Sequence, residues 1–554
     1  MTNNIKWQAR ERGIALIVVL FMVVVMLILV GSLLELMPQE LRQTAYVGYD
    51  NRALYIADSG IQDMTEKIEE AQKINSSPIA SPPPYYYPAD VGGGQAWYQD
   101  DIVDGPKLDK FDRKYYLIEA FGHSPTGQMR HVRALLQQRA FSQYDYFTEQ
   151  NSAGNYFVAG LMTFNGPVYL GATSSNAPVN ITWYNNLPKN TPSIFQDTLQ
   201  LFGPTVYWQG STKNSPPTNG TQWAVVDSGG QNNITPLQKA VDFPQEAENS
   251  NTANEAFNGQ GGTTIPNPSS KGVYMDGGVA SAGSGSVTSG IFVQGSAAVQ
   301  MTASPANTSP STQTFTFTPG GSNPIPDKVT VTLNFTSNTT TVTEGSKNTT
   351  YAGLPNGPST GGTGKNGAIF VNGDISSLQG TVNGQYSIVT PDQGPANGGL
   401  RKNITVTGDI TMQQDPQTCN CQSSDLLGLI TNNLISQVPS NQTGVNRTIE
   451  AAIFSGNKTE SDNGEQAGSY ETQYGAGGGV CGSGVPLEGN LVVYGSLVNN
   501  YTAPLGCFDP SSGNLVHGWS DSYVFDNRFK TALPPFYPLE YHYSIVAWQD
   551  EGVQ

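Results

Sequence analysis

The feature that most constrains this chain is an uncharged run of 21 residues, from Ile14 to Leu34. A helix of that length spans about 30 Å, which is the thickness of the hydrocarbon core of a bilayer. Lys6, Arg10 and Arg12 precede the run, and basic residues favour the cytoplasmic side of a membrane. The sequence therefore predicts one membrane-spanning helix, with its N-terminus in the cytoplasm and the rest of the chain outside.

The helical pattern continues beyond the apolar run. A secretory signal peptide would have a shorter apolar core followed by a cleavage site of small residues, so we expect this segment to be retained. Further along, apolar residues recur at spacings of three and four, as they do on one face of a helix. This apolar stripe consists of Leu54, Ala57, Ile61, Met64 and Ile68. We expect the helix to end near Lys73, before a segment rich in proline and glycine.

The residues around Gly13 resemble a known processing site. The segment RERG, followed directly by IALIVV, is similar to the cleavage site of type IV prepilins. That resemblance implies a prepilin peptidase that cuts between Gly13 and Ile14, leaving a mature chain that begins with the apolar helix. The segment ADSGIQDMTEKI also resembles the helix of PilX-type minor pilins. A divergent membrane-anchored protein that forms no filament is the alternative.

One position departs from the pattern of the family. Most major pilins have glutamate at the fifth mature position, where this chain has Val18. In a filament, that carboxylate pairs with the N-terminal amine of the previously assembled subunit, which offsets the cost of burying both charges. A subunit that is assembled first has no predecessor. The resemblance therefore implies a minor pilin or pseudopilin that starts a filament and remains at its tip.

The rest of the sequence predicts β structure. Only 13% of the residues are charged and 62 are glycine, a balance typical of turn-rich β proteins. KYYLIEAFGH and QMRHVRALLQQRAF, joined by SPTG, predict the β-hairpin of a pilin head. Further on, short apolar segments broken by glycine recur: GVYMDGGV, GIFVQGSAAV, GAIFVNGDISSLQGTV, NITVTGDITM and GNLVVYGSLVNN. Such recurrence predicts the stacked rungs of a β-solenoid, with an ordinary β-sandwich as the alternative.

An alignment of these segments sets three triplets in equivalent places: Val371, Gly373 and Ile375; Val406, Gly408 and Ile410; Val493, Gly495 and Leu497. The segment from TFTFT to TTTVT predicts a longer hairpin that protrudes from the stack. YHYSIVAWQD predicts a C-terminal strand that returns to the pilin sheet, which would make the solenoid an insertion within that sheet.

The predicted fold class is therefore an α+β pilin fold, with a long N-terminal helix and an antiparallel sheet, interrupted by a large β-solenoid and mainly β overall. The expected domains are a leader at residues 1–13, a helix at 14–75 whose residues 14–34 span the membrane or form the filament core, and the first part of the head at 76–145. The inserted solenoid is expected at 146–520 and the returning strand at 521–554.

The four cysteines lie late in the chain, outside the membrane, where disulfides form. Cys419 and Cys421 are too close in sequence to bridge each other without strain. We therefore expect two disulfides, in which each of them pairs with Cys481 or Cys507. A zinc site is disfavoured because the CxC pair has no second spaced pair and no histidine nearby.

No catalytic constellation is found in the sequence. STGGTGKN departs from a phosphate-binding loop, with Ser359 in place of the first glycine and Asn366 in place of the magnesium-binding hydroxyl. The four histidines (His123, His131, His517 and His542) are scattered without metal-binding spacing. We expect no enzymatic activity, no metal and no cofactor.

The charge distribution bears on what the protein binds. The formal net charge is −17, and residues 141–554 contain 13 Lys and Arg against 28 Asp and Glu. Such a surface repels polyphosphates on average, so DNA binding requires a local cluster of cations. The candidates for contacts to DNA phosphates are Arg401, Lys402, Lys365, Lys328 and Lys347 in the solenoid region, and Arg130 and Arg133 in the hairpin.

The whole pattern resembles the large, competence-associated tip pilins. This resemblance implies a non-enzymatic minor pilin that is processed at the inner membrane, located at the extracellular pilus tip, and able to bind DNA for uptake in natural transformation. The expected partners are other type IV pilins through the N-terminal helix, prepilin peptidase, the inner membrane before assembly, and DNA. A tip adhesin for glycans or surfaces, and the tip pseudopilin of a type II secretion system, remain as alternatives.

Overall fold

The structure is a computed structural model. It describes residues 4–73, 85–86, 96–109, 113–150, 155–157, 163–171, 179–182, 194–202, 206–208, 234–236, 241, 247–355, 367–391, 402–418, 423–437, 444–456, 469–472, 481–482, 484–503, 505–509 and 514–552. The chain divides into two compact units. The head unit comprises Met1–Asp109, Lys114–Gln138 and Tyr543–Gln554, and the inserted unit comprises Lys110–Arg113 and Arg139–His542.

The described helices are α1 (Asn4–Lys73) and α2 (Ala247–Asn258), with short 3-10 turns at Phe141–Gln143, Ala280–Ala282 and Asn527–Lys530. The described strands are β1 (Tyr85–Tyr86), β2 (Trp97–Leu108), β3 (Lys114–His123), β4 (Met129–Ala140), β5 (Tyr146–Gln150), β6 (Asn155–Phe157), β7 (Thr163–Phe164), β8 (Val168–Leu170), β9 (Val179–Thr182), β10 (Ile194–Phe195), β11 (Leu199–Leu201), β12 (Val206–Trp208), β13 (Ile234–Pro236), β14 (Gly272–Met275), β15 (Gly278–Val279), β16 (Ile291–Gln294), β17 (Ala297–Ala303), β18 (Thr312–Pro319), β19 (Val329–Asn334), β20 (Thr339–Glu344), β21 (Lys347–Ala352), β22 (Ala368–Asn372), β23 (Ile375–Val382), β24 (Gln385–Val389), β25 (Ile404–Met412), β26 (Leu426–Thr431), β27 (Leu434–Ser436), β28 (Arg447–Ser455), β29 (Ser469–Thr472), β30 (Leu487–Thr502), β31 (Gly506–Phe508), β32 (Leu515–Phe525) and β33 (Leu539–Gly552).

The head unit consists of α1 packed on a five-stranded sheet, with the strands in the order β1-β2-β3-β4-β33. The predicted hairpin is present, since β3 and β4 pair in antiparallel register. The helix ends at Lys73, as predicted. The apolar stripe of α1 is buried against the sheet, where it contacts Ile118, Val132 and Leu136. YHYSIVAWQD lies in β33, beside β4.

The inserted unit is built on parallel ladders of short strands. In the longest ladder, each residue of one row pairs with the next in parallel register: Ile291, Ile369, Ile388, Leu429, Ile453, Leu497, Tyr146, Val168, Leu199 and Ile234. A second ladder joins Ala297, Ile375, Ile404, Leu434, Tyr470 and Thr502. Parallel stacking of successive strands is the pairing that rungs of a solenoid have, and it favours that interpretation over a sandwich of antiparallel sheets.

Both faces of the first ladder are buried, which explains its unbroken apolar segments such as IFV and LLGLI. One face lies in the main core. The other face is a row of aromatic and aliphatic side chains covered by α2 and by Phe529 and Tyr537. This row consists of Phe292, Phe370, Val389, Ile430, Phe454, Val498, Phe147 and Tyr169. The sequence did not predict α2, because AENSNTANEAFN has little apolar periodicity. The helix is nevertheless packed in the core through a few apolar residues on one side, among them Ala253 and Ala256.

The order of strands along the first ladder differs from their order in the chain. The chain enters at β5, extends through β8, β11 and β13, and crosses through α2 to β16. It then returns through β22, β24, β26 and β28 to β30, which pairs with β5. The first and last strands of the insertion, β5 and β32, both pair with β30, β32 along residues 487–495 and β5 along residues 497–501.

Antiparallel strands end the parallel ladders near β16 and β17. β14 pairs with β16, and β18 pairs with β17. The predicted hairpin of β18 and β19 continues into β20 and β21, forming an antiparallel meander whose inner residues Phe315, Val331 and Val342 belong to the main core. The prediction that this hairpin protrudes was wrong, because its alternating apolar residues pack on the stack, with Phe315 against the ring of Tyr386.

The proposed alignment of the three triplets was also wrong. Val371 pairs with Val293, whereas Val406 pairs with Leu378. The reason is that Gly373 lies at the corner between β22 and β23, where a β-carbon would be 2.5 Å from the backbone of Gly295. Gly408, in contrast, lies inside β25. Glycine occurs at both kinds of position, so a shared spacing of Val, Gly and Ile does not fix the register.

The predicted disulfide pairing was wrong as well. Cys481 bonds to Cys507, with 5.2 Å between their Cα atoms. Cys507 lies in β31, which pairs with β32 and so comes close to the segment before β30. Cys419 and Cys421 lie outside the described residues. The spacing of the cysteines could not reveal this pairing, because it depends on which strands are neighbours in the stack.

Candidate functional site

The first candidate site is the apolar part of α1. From Ile17 to Leu34 its large apolar side chains are exposed, and the helix is long and apolar enough to cross a membrane. Gly13 and Ile14 lie in α1, in a part whose side chains are not described. Val18 is 48% exposed. Exposed apolar side chains over this length require a lipid or protein environment, because water disfavours so large an apolar surface.

The C-terminal half of α1 is held on the sheet by close packing. A β-carbon at Gly122 of β3 would lie 2.3 Å from the backbone nitrogen of Ala57, and one at Gly60 would lie 2.9 Å from the β-carbon of Ala120. Both glycines therefore allow α1 to approach the sheet closely. The indole nitrogen of Trp548 in β33 donates a hydrogen bond to Asp58, at 3.0 Å.

An ion pair strengthens this packing. Lys67 of α1 binds the buried carboxylate of Asp100 at 2.9 Å. Burial raises the pKa of Asp100, and the hydrogen bond from Lys67 opposes that rise. The ion pair gives the buried carboxylate of Asp100 a partner. It also fixes the position of the C-terminal end of α1 on the sheet.

The basic residues of the predicted hairpin are ion-paired. Arg130 donates to Asp50 of α1 at 2.8 Å and to Asp550 of β33 at 3.0 Å. Arg133 pairs with Glu119 at 3.2 Å and with Glu551 at 3.6 Å. These carboxylates offset the charge that the two arginines would present to a phosphate. The pairs join the helix, the hairpin and the last strand of the head unit.

The candidate lysines of the inserted unit differ in their surroundings. Lys402 lies 3.6 Å from Asp374. Lys328, just before β19, and Lys347, at the start of β21, are exposed. Arg401 and Lys365 lie outside the described residues. Lys328 and Lys347 are the described candidates best exposed to solvent. They lie at the same end of the antiparallel strands, because Val329 pairs with Glu344 and Glu344 pairs with Lys347.

The histidines have structural contacts. His131 bonds to Glu119 at 3.1 Å and stacks on Phe121, His123 stacks on Trp97, and His517 bonds to the Val485 carbonyl at 2.7 Å. Over the part of the chain that the structure describes, no cluster of three His, Cys, Asp or Glu side chains could hold a metal ion.

Two buried carboxylates of the inserted unit have unusual protonation. Burial raises the pKa of Asp145 to about 7, although the backbone N–H groups of Asn165 and Gly166 bond to it at 2.9 and 3.1 Å. Burial likewise raises the pKa of Glu450 to about 7, against a hydrogen bond from the Met412 N–H. Each accepts from the backbone of a neighbouring segment, so both have structural roles.

Sequence reasoning missed one concave feature. A cleft of about 400 Å³ lies beside β17 and β23. Its lining is uncharged and includes the polar side chains of Gln300, Thr302, Thr381 and Gln413. The alternation in TFTFT and KVTVTLN indicated a face of threonines, but it did not indicate that this face would continue into a cleft.

The comparisons with known proteins gave one structural likeness. No family model matches the chain, and no curated protein matches it. The chain is similar to the crystal structure of the competence-associated pilin ComZ from Thermus thermophilus, with 10% sequence identity and a TM-score of 0.25. The match covers 92% of this chain and 98% of that chain.

Proposed function

We propose that this chain is a non-enzymatic minor type IV pilin, processed at the inner membrane and located at the extracellular pilus tip, where it binds DNA for uptake in natural transformation. The observation that supports the pilin role is the division of α1 into two parts. Between Ile17 and Leu34 its exposed side chains are almost all apolar, while its C-terminal stripe is buried on a sheet that includes β33. A subunit of this design can insert its helix among other pilin helices and leave its head outside.

The location at the tip follows from Val18 and from the size of the inserted unit. Without a carboxylate, Val18 cannot neutralise the terminal amine of a preceding subunit. A subunit that cannot be added after another subunit can only be the first one in the filament. Immunogold labelling of sheared pili tests this: we expect label at one end of each filament, and label along the shafts would contradict the proposal.

The DNA role is supported by the resemblance to competence-associated tip pilins and by the exposed lysines Lys328 and Lys347. The surrounding surface is acidic, so contacts to DNA must be local and directed at phosphates. Such binding has little sequence preference and weakens steeply with salt. We expect the detergent-solubilised chain to bind duplex DNA more tightly at about 50 mM than at about 300 mM salt.

A matched pair of variants sharpens this experiment. Lys328→Gln with Lys347→Gln removes two exposed cations, and we expect weaker binding with a salt slope lowered by about 2. Lys530→Gln, also a loss of an exposed lysine, is the control, because that lysine lies 3.7 Å from Asp197. If the wild-type chain binds no DNA, or binds it equally at both salt concentrations, the DNA role is wrong while the pilin role stands.

A further inference from the structure

Two rows of neutral polar side chains cross the five antiparallel strands β17 to β21. The register of these strands aligns one row of five threonines: Thr302, Thr314, Thr332, Thr341 and Thr350. It aligns a second row beside the first: Gln300, Thr316, Thr330, Thr343 and Asn348. All ten positions are uncharged, and eight of them are threonine.

These rows lie on the outer face of the sheet. Side chains alternate between the two faces of a strand, and the residues between the threonines, such as Phe315, Val331 and Val342, are buried in the core. The row positions themselves are half-buried or exposed. The hydroxyl and amide groups of both rows therefore face solvent across the whole width of the sheet.

Hydrogen bonds between neighbouring side chains hold the outer face of the sheet in place before any ligand binds. The hydroxyls of Thr314 and Thr332 lie 3.2 Å apart, and Thr343 donates to Asn348 at 2.6 Å. Threonine is β-branched, so its side chain has few rotamers to lose when a ligand binds. Neighbouring side chains on such a face are about 4.8 Å apart between strands and about 6.8 Å apart along one strand. The result is a regular grid of groups that donate and accept hydrogen bonds.

The grid leads into the cleft of about 400 Å³, because Gln300 and Thr302 belong to both. The rest of the cleft wall is also uncharged. It combines the polar Ser304, Thr381 and Gln413 with Met301, Ala303, Pro305, Ala306 and Gly380. The grid and the cleft together form one continuous surface without a charged side chain among these residues. A ligand long enough to lie along the rows would place one end in a concave site.

We propose that this surface, the threonine grid with its cleft, binds a neutral polysaccharide. Sugar hydroxyls donate and accept hydrogen bonds as threonine hydroxyls do, and they recur along the polymer at a short, fixed repeat. An anionic polymer finds no cation in the rows, and an apolar ligand would leave the hydroxyls desolvated without partners. The inference does not depend on the DNA role proposed above.

Sedimentation of the detergent-solubilised full chain with cellulose or chitin particles tests the proposal. We expect binding that is the same at about 50 mM and about 300 mM salt, because no ion pair is involved. Thr316→Val with Thr332→Val keeps the shape and the β-branch but removes two hydroxyls, and it should weaken binding roughly tenfold or more. Thr316→Ser with Thr332→Ser restores the hydroxyls and should restore most of the binding.

The matched control is Thr405→Val with Thr448→Val, which removes two hydroxyls from the parallel ladders and should leave binding unchanged. The proposal is overturned if the wild-type chain binds neither polymer, or if the valine variant on the grid binds as the control does. Binding that disappears at the higher salt concentration, or that duplex DNA displaces, would assign this face to nucleic acid instead. The serine variant shows whether a loss comes from the hydroxyls or from misfolding.

Discussion

Gly122 of β3 lies directly against Ala53 of α1: a β-carbon at position 122 would be 2.2 Å from the Ala53 carbonyl oxygen. No side chain fits there unless the helix moves, since the obstructing atoms are backbone. The close approach of helix and sheet at this point therefore depends on the missing methyl group of Gly122.

Gly122→Ala should consequently destabilise the head unit by about 3 kcal/mol, through overpacking. Urea unfolding followed by tryptophan fluorescence measures this loss. Gly48→Ala is the control, because no atom lies within 4 Å of the added carbon in α1 and alanine favours helix by about 1 kcal/mol. Equal stability of the two variants would show that the helix does not pack as closely as described.

Arg528 is a buried cation of the inserted unit with several bonds. Its guanidinium contacts both carboxylate oxygens of Asp526, at 2.9 and 3.0 Å, and donates to the carbonyls of Ser423 and Asp425. Arg528→Met leaves a buried carboxylate unpaired and should cost about 3–5 kcal/mol in the free energy of unfolding. Lys530→Met removes the same charge from an exposed pair, so we expect it to cost less than about 1 kcal/mol. Similar losses for both would contradict this assignment.

The disulfide between Cys481 and Cys507 closes a loop with a sequence separation of 26. By the entropy of loop closure, its removal in Cys507→Ser should lower the free energy of unfolding by about 3 kcal/mol. Mass spectrometry of the unreduced protein after proteolysis should find a peptide containing Cys481 linked to one containing Cys507. A link from either of these cysteines to Cys419 or Cys421 would refute the pairing.

Asp145 should make stability depend on pH. Because burial raises its pKa to about 7 in the folded chain, the folded state holds a proton that the unfolded chain releases near pH 4. Its contribution to stability is therefore complete below about pH 4 and is lost as pH rises through about 7, by at most about 4 kcal/mol. Asp145→Asn keeps an oxygen for the two N–H groups and cannot ionise. The stability of this variant relative to the wild type should rise between about pH 5 and about pH 8, and a constant difference would exclude this role.

Val18→Glu should alter where the protein is found in the pilus. A carboxylate at the fifth mature position could pair with the terminal amine of a preceding subunit, so the variant should enter filament shafts. Immunogold labelling of the variant should show label along the filaments, whereas Val18→Gln, of similar size and uncharged, should remain at the tips. Label at the tips alone for both variants would mean that this position does not determine placement.

Local features of the fold could be predicted because each depends on neighbouring residues. The end of α1 at Lys73 and the stripe through Ile61 and Ile68 follow from helical spacing and from the prolines beyond. The β3–β4 hairpin follows from two alternating segments around SPTG. The stacked strands could be anticipated because glycine-bounded apolar segments recur.

Long-range relationships could not be predicted from the sequence. The apolar patterns of β22 and β25 are alike, yet Val371 and Val406 occupy different ladders, since the pattern does not specify the corner at Gly373. The partner of Cys507 depends on the neighbourhood of β30, β31 and β32. Arg130 and Arg133 were predicted as candidates for contacts to DNA phosphates. Their ion pairs could not be foreseen, because partners such as Asp550 and Glu551 are distant in sequence.

The entry of the chain beside β30 has a consequence for how such a protein can change over time. β5 and β32 both pair with β30, which lies in the interior of the ladder. The ends of the described ladder are therefore distant from the strands through which the chain enters and leaves the inserted unit. Strands can be gained or lost at those ends without altering the places where the chain enters and leaves the inserted unit. The length of the inserted unit can therefore vary between lineages while its connection to the rest of the polypeptide stays the same.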